Sequence, residues 1–145
     1  MRESPDNYDA ELLLRLYELR REEKLRRARE WLAGKFEAGS LEEFNKLEPE
    51  ENALFRMAVS YWDMAASLVN HGLIKEDLFF ENTGEFWLTW EKVRHLAPAF
   101  REARKNPLAW KNLETLSRKY EQWMATRAPE ALEATRQRLK AARNK

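Results

Sequence analysis

The chain has 145 residues, 43% hydrophobic and 12% aromatic with six Trp, which suits one domain with a core of its own and excludes a disordered chain. It holds no cysteine, which excludes disulfides, thiolate metal sites and a cysteine nucleophile. Lys plus Arg number 26 against 25 for Asp plus Glu, a net charge of +1, so no whole-molecule field draws the chain to nucleic acid or to an anionic membrane.

The opening MRESPDNYDAELL lacks the basic-then-apolar pattern of a signal peptide, and no later segment is long and apolar enough to span a bilayer. A cytoplasmic protein is expected. Asp9 is the expected cap of a first helix carrying Leu12, Leu16 and Leu19 on one stripe, widened by Leu13 and Tyr17. Leu25, Ala28, Leu32 and Phe36 form a second helical series. From Leu19 to Leu25 a helix turns about 600°, so the second stripe leaves the first face: either the helix breaks between Arg21 and Lys24, the preferred reading, or one long helix buries different faces along its length. Ser40-Leu41-Glu42-Glu43 has the form of a capping box for a short helix ending near Leu47.

Residues 50–72, EENALFRMAVSYWDMAASLVNHG, read as a helix apolar on nearly every side, which predicts a central post buried among other helices. Arg56, Ser60, Asp63, Ser67 and Asn70 keep to one narrow polar stripe, and Leu54, Phe55, Met57, Val59, Tyr61, Trp62, Met64, Leu68 and Val69 are expected to face neighbours. Pro49 suits its first turn and Gly72 the position just past its end. Leu73, Ile74, Leu78, Phe79 and Phe80 then plug the end of the bundle. Asn82-Thr83-Gly84-Glu85 signals another start, followed by the stripe Phe86, Trp90, Val93, Leu96 or Ala97, and Phe100, with a kink at Pro98. Asn106-Pro107 marks the start of a last core helix lined by Trp110, Leu113, Leu116, Tyr120, Trp123 and Met124.

The expected architecture is all-α: a compact bundle of four to six helices around the buried helix 50–71, in one domain spanning 1–128, with a basic, partly helical tail at 129–145.

YDAELLLRLYELRREEKLRRAREWL, LVNHGLIKEDLFF, WEKVRHLAPAFREAR and NPLAWKNLETLSRKY, in that order, resemble a family of small helical bacterial proteins known as domain of unknown function 4760. The resemblance covers roughly residues 8–124 and rests on core and boundary residues. It implies a compact helical domain and carries no activity, cofactor or catalytic residue.

Several constellations bear on function. Arg20, Arg21, Lys24, Arg26, Arg27 and Arg29 form a basic strip that would suit phosphates, but Glu22 and Glu23 stand four residues before Arg26 and Arg27, and no aromatics interleave, so a solvated face is the preferred reading and nucleic-acid binding through 20–29 ranks third. Glu91 and His95, and His71 with Glu76, Asp77 and Glu81, raise a metal site. The Glu-x-x-His repeat of a di-iron bundle and the His-Glu-x-x-His motif are both absent, so no metal and no cofactor are expected. Asp63, on a mostly buried helix, must be paired, hydrogen-bonded or wet. It is either a structural tie or, with Tyr61 and Arg101, part of a polar ligand site in a binding or enzymatic bundle. Trp87 falls one residue off the Phe86 and Trp90 stripe, beside Leu88. Trp87, Leu88 and, second, Trp31 are therefore the expected exposed anchors of a non-enzymatic interaction or scaffold module that binds a protein partner or itself.

Overall fold

Pro49 fixes the start of the longest helix, and the rest of the chain is arranged on it. The computed structural model describes residues 4–143. Those residues form nine helices and no strand. The first and last residues of the expected domain and tail, 1–3 and 144–145, lie outside the described part.

Helix α1 (Asn7–Arg20) is capped by Asp6, not Asp9. Asp9 is the third helical residue and returns the hydrogen bond of the capping box to the Asp6 N–H. It also accepts from the Lys75 N–H at 2.7 Å and is fully buried. The break falls where the stripes change phase, at Arg21–Glu22, and the Glu22 carboxylate caps α2 (Glu23–Gly34) through the Leu25 N–H. Leu19 ends up largely exposed, because Leu13 and Leu16 carry the burial of α1. Ser40 caps the single turn α3 (Leu41–Phe44).

The central helix is α4 (Pro49–Asn70), with Pro49 in its first turn and Gly72 at φ +80 just beyond its end, where a residue without Cβ is favoured. Phe55, Ala58, Val59, Trp62, Ala65, Ala66 and Val69 are buried along it. Two positions expected to face neighbours do not: Met57 is 38% exposed and Met64 40%. In the expected polar stripe only Arg56 and Ser60 are fully exposed, while Asp63, Ser67 and Asn70 are half-buried. Leu73 is exposed, and the plugging is done by Ile74, just before α5 (Glu76–Asn82), and by Phe79 and Phe80 within it.

The expected kinked helix is two helices. α6 (Glu85–Val93) ends before the proline, and α7 (Ala97–Arg104) takes Pro98 into its first turn, where the missing donor costs nothing. Asn106-Pro107 opens a turn, with the Asn106 side chain accepting from the Leu108 N–H, and α8 (Lys111–Arg127) begins four residues later. The cause is Trp110, whose left-handed backbone (φ 60) stacks its ring on Phe100 at 4.2 Å and cannot continue a helix from Pro107. α9 (Ala131–Arg143) closes the described chain and buries no residue fully.

α4 packs most extensively on α8 and α2, and α6 lies against α8, α2 and α4. One aromatic cluster, Trp31, Phe36, Phe44, Phe55, Phe100 and Trp110, fills the end near the start of α4. A second, Phe79, Phe80, Phe86, Tyr120 and Trp123, fills the space between α5, α6 and α8.

Candidate functional site

Asp63, Tyr61 and Arg101 do not converge on one point. Residues two apart on a helix are turned about 200° from each other, so Tyr61 and Asp63 leave α4 on different sides. The Tyr61 hydroxyl donates to the Leu16 carbonyl at 2.5 Å, and burial pushes its pKa up to about 12. Asp63 accepts from the Leu113 N–H at 2.9 Å, in the first turn of α8. Trp110, the residue before that helix, supplies no side-chain cap, so Asp63 supplies one from another helix. Seven residues on, Asn70 donates to the Asn112 carbonyl at 3.0 Å, and the two side chains clamp the start of α8 to α4. Burial raises the Asp63 pKa above the ordinary aspartate value, against the Leu113 N–H and Arg101, which act to lower it. Arg101 is near enough to Asp63 to be felt, but it is held elsewhere, by the Ala109 carbonyl at 2.8 Å and by Glu114 at 2.9 Å. Glu114 also takes Lys111 and Arg118, and the three cations together hold its pKa down against burial.

The interaction anchors expected at Trp87 and Trp31 are interior. Trp87 is 2% exposed and Trp31 9%, and Leu88 is half-buried. Trp87 lies off the α6 stripe, as its spacing requires, but that flank is covered by α8 and α9. Its indole Nε1 donates to Glu121 at 3.0 Å, and the Arg136 guanidinium lies over its ring at 5.2 Å. Trp31 packs against Phe36 in the first aromatic cluster.

The densest polar cluster is at Glu85, the first residue of α6. Arg29 meets it with two donors, Nε at 2.7 Å and an outer nitrogen at 2.6 Å. Arg20 adds a third at 3.2 Å and the Trp62 indole a fourth at 3.1 Å. Burial pushes the Glu85 pKa up, but the arginines outweigh it and hold it below the ordinary glutamate value. This cluster joins α1, α2, α4 and α6, and every group in it is spent on another. Two of the six residues of the basic strip, Arg20 and Arg29, are turned inward by it, and a third, Arg27, meets Glu50 at 2.5 Å.

A second cluster was not foreseen. Glu91 and Glu121 face each other across α6 and α8 and share Arg94, at 3.1 and 3.5 Å, and Arg136, at 2.8 and 2.9 Å. The sequence pairs Glu91 with His95 instead. His95 in fact donates to the Ala38 carbonyl, and neighbouring Lys92 donates to that of Phe36. Among the described residues no group of three or more His, Asp or Glu is placed to hold a metal ion, and no helix is long and apolar enough to cross a membrane.

The surface left open on the central helix combines Met57 and Met64 with Ala53, Arg56 and Ser60. Leu54, Met57, Tyr61, Met64 and Leu68 follow one another at spacings of three and four, a single seam on α4. Tyr61 is buried, Leu54 and Leu68 are half-buried, and the two methionines reach solvent, beside Ala53 and Ser60, which are exposed and small. The periodicity of this seam is legible in the sequence; its exposure is not, because nothing local tells which side of an all-round apolar helix lacks a neighbour.

No curated protein and no solved structure matches the chain. The family model described as Domain of unknown function (DUF4760) matches residues 7–123, which takes in α1 to α7 and most of α8 and stops short of α9, and the chain belongs to that family.

Proposed function

We propose that this chain is a non-enzymatic protein-interaction module of the bacterial cytoplasm that associates with a second copy of itself through the outer face of α4. The observation that carries this reading is the exposure of Met57 and Met64, 38% and 40%, on the helix that otherwise supplies the core. Methionine is flexible and polarisable, and it serves surfaces that must fit another helix. The half-buried Leu54 and Leu68 extend the seam at both ends, and a spacing of three and four is the one by which two helices interlock. Ala53 and Ser60 beside it leave room for a backbone to approach. The polar clusters favour the same reading from the other side: Asp63, Glu85 and Glu114 each hold elements of the fold together. A cysteine-free chain suits a reducing compartment.

Sedimentation of the wild type over a wide concentration range, beside the variant carrying Met57→Glu and Met64→Glu, tests the proposal. A concentration-dependent dimer that the double variant abolishes while its thermal melt stays within a few degrees is the expected result. A wild type monomeric at millimolar concentration would overturn self-association through α4.

A further inference from the structure

α9 is attached to the rest of the molecule in an unusual way. It buries no side chain fully; Leu132 is half-buried against the core, and Leu139 is half-buried further along. Its polar anchor is Arg136, whose Nε donates to Glu91 at 2.8 Å, whose outer nitrogen donates to Glu121 at 2.9 Å, and whose plane covers Trp87. The receiving groups each have a partner besides Arg136. The Trp87 indole is fixed by its own hydrogen bond to Glu121, and Glu91 is largely buried and held by Arg94. With Arg136 removed, two carboxylates would face an aromatic ring with one arginine between them, which leaves one negative charge uncompensated. An aromatic face combined with paired carboxylates is the arrangement that selects a guanidinium over an ammonium. Beside it runs a groove of about 270 Å³ walled by α8 and the linker (Glu121, Met124, Ala125, Ala128, Pro129) on one side and by Leu132, Glu133 and Arg136 of α9 on the other.

The receiving residues Trp87, Glu91 and Glu121 all lie inside the family's span of 7–123, and their occupant lies beyond it. Only Ala128, Pro129 and Glu130 separate α8 from α9, so the tether keeps Arg136 at a high effective concentration although its contacts are few. An element with so little buried apolar surface opens locally at low cost.

We infer that the face formed by Trp87, Glu91 and Glu121 is a docking site for a protein partner's helix that carries an arginine four residues after an apolar residue, and that α9, with Leu132 and Arg136 at that spacing, covers it as a tethered, displaceable stand-in. The site lies on α6 and α8, apart from the α4 seam, and it stands whether or not the chain dimerises.

The test uses the full chain, labelled with nitrogen-15, and a synthetic peptide of residues 129–143 as the probe. Arg136→Ala in the protein vacates the cradle. The peptide is expected to shift the Trp87 indole resonance of this variant and to bind it about tenfold more tightly than it binds the wild type, where the tethered arginine competes. The same peptide with its own Arg136→Ala is expected to bind about tenfold more weakly, and Glu91→Gln with Glu121→Gln in the vacated protein should abolish the difference. Equal binding by wild type and variant, or a peptide indifferent to its arginine, would overturn the proposal. So would a loss of folding in Arg136→Ala, since α9 would then be part of the core and not a strap.

Discussion

Arg29 and Glu85, 56 residues apart in sequence, meet through two donors at 2.7 and 2.6 Å, so the middle of the chain's second helix is locked to the first residue of its sixth. The pair is planar and forked, a geometry that Lys at position 29 would not reproduce. Because Arg20 and Trp62 converge on the same carboxylate, one glutamate fixes four elements relative to each other.

Glu85→Gln should therefore cost more than a surface ion pair. It leaves two largely buried arginines short of their counter-charge, for which a loss of about 2–4 kcal/mol is the expected scale. The folded-state pKa of Glu85 is lowered, so its contribution is present above the unfolded value and fades as pH falls through the folded one. Urea unfolding at pH 7 and in the acid range below 4.5 should show the gap between wild type and variant narrowing with acid. A gap that stays constant down to pH 2 would place its cause in packing, not in charge.

Asp63 has the opposite sign. Its folded-state pKa is raised, chiefly by burial, so its contribution is fully present below the unfolded value and declines as pH rises through the folded one. Asp63→Asn keeps an oxygen for the Leu113 N–H and removes the buried charge, so at pH 7 it should be at least as stable as the wild type, with the advantage vanishing in acid. Asp63→Ala removes the cap of α8 and should cost about 1 kcal/mol. Thermal melts of the three proteins between pH 3 and pH 7 separate these effects. An Asp63→Asn variant markedly less stable than wild type at neutral pH would mean that the helix end prefers the charged form.

The helices were legible because their apolar spacing is set locally. The phase change between Leu19 and Leu25 predicts the break, Pro49 and Gly72 bracket α4, and both are found as read. Helix starts were less legible where the cap comes from afar: the first turn of α8 is held by Asp63, 50 residues away, and no window around Asn106 contains that information. Trp87 shows the same limit for burial. Its position off the stripe is a correct angular statement, but whether that flank meets solvent or α9 depends on Arg136, 49 residues further on, in a segment that composition marks as a weak helix. Met57 and Met64 err the other way. A helix apolar all round predicts neighbours on all sides, and only the assembled fold reveals the side on which none arrives.

Gly84 is required by a close approach, not by its backbone angle. Its φ of −123 is open to any residue, but a Cβ there would stand 2.8 Å from the Tyr120 hydroxyl. That ring is confined by Phe80, Phe86 and Trp123 at centroid distances of 5.2, 5.2 and 6.2 Å, so it cannot swing aside freely. Gly84→Ala should cost about 1–3 kcal/mol from overpacking. Adding Tyr120→Phe removes the clashing oxygen and should recover a large part of that loss. A double-mutant cycle by urea unfolding reads the coupling directly, and strictly additive effects would count against the contact.

Lys105 and Trp110 share a left-handed backbone, at φ 55 and φ 60, yet the same replacement should move stability in opposite directions. Lys105 ends α7 and is exposed, so Lys105→Gly relieves a conformation that lysine adopts at a cost. A gain of about 0.5–1 kcal/mol is expected after the greater freedom of glycine in the unfolded chain is set against it. Trp110 holds its conformation because its ring lies stacked on Phe100 at 4.2 Å and against Phe55 at 5.7 Å. Trp110→Gly relieves the backbone but empties the aromatic cluster, and the loss of a large packed ring, about 3 kcal/mol, exceeds the relief. For a chain of this size 1 kcal/mol moves Tm by about 3–4 °C, so the two variants should melt above and well below the wild type respectively. If Trp110→Gly melted above the wild type, backbone strain and not ring packing would be the dominant influence at the start of α8.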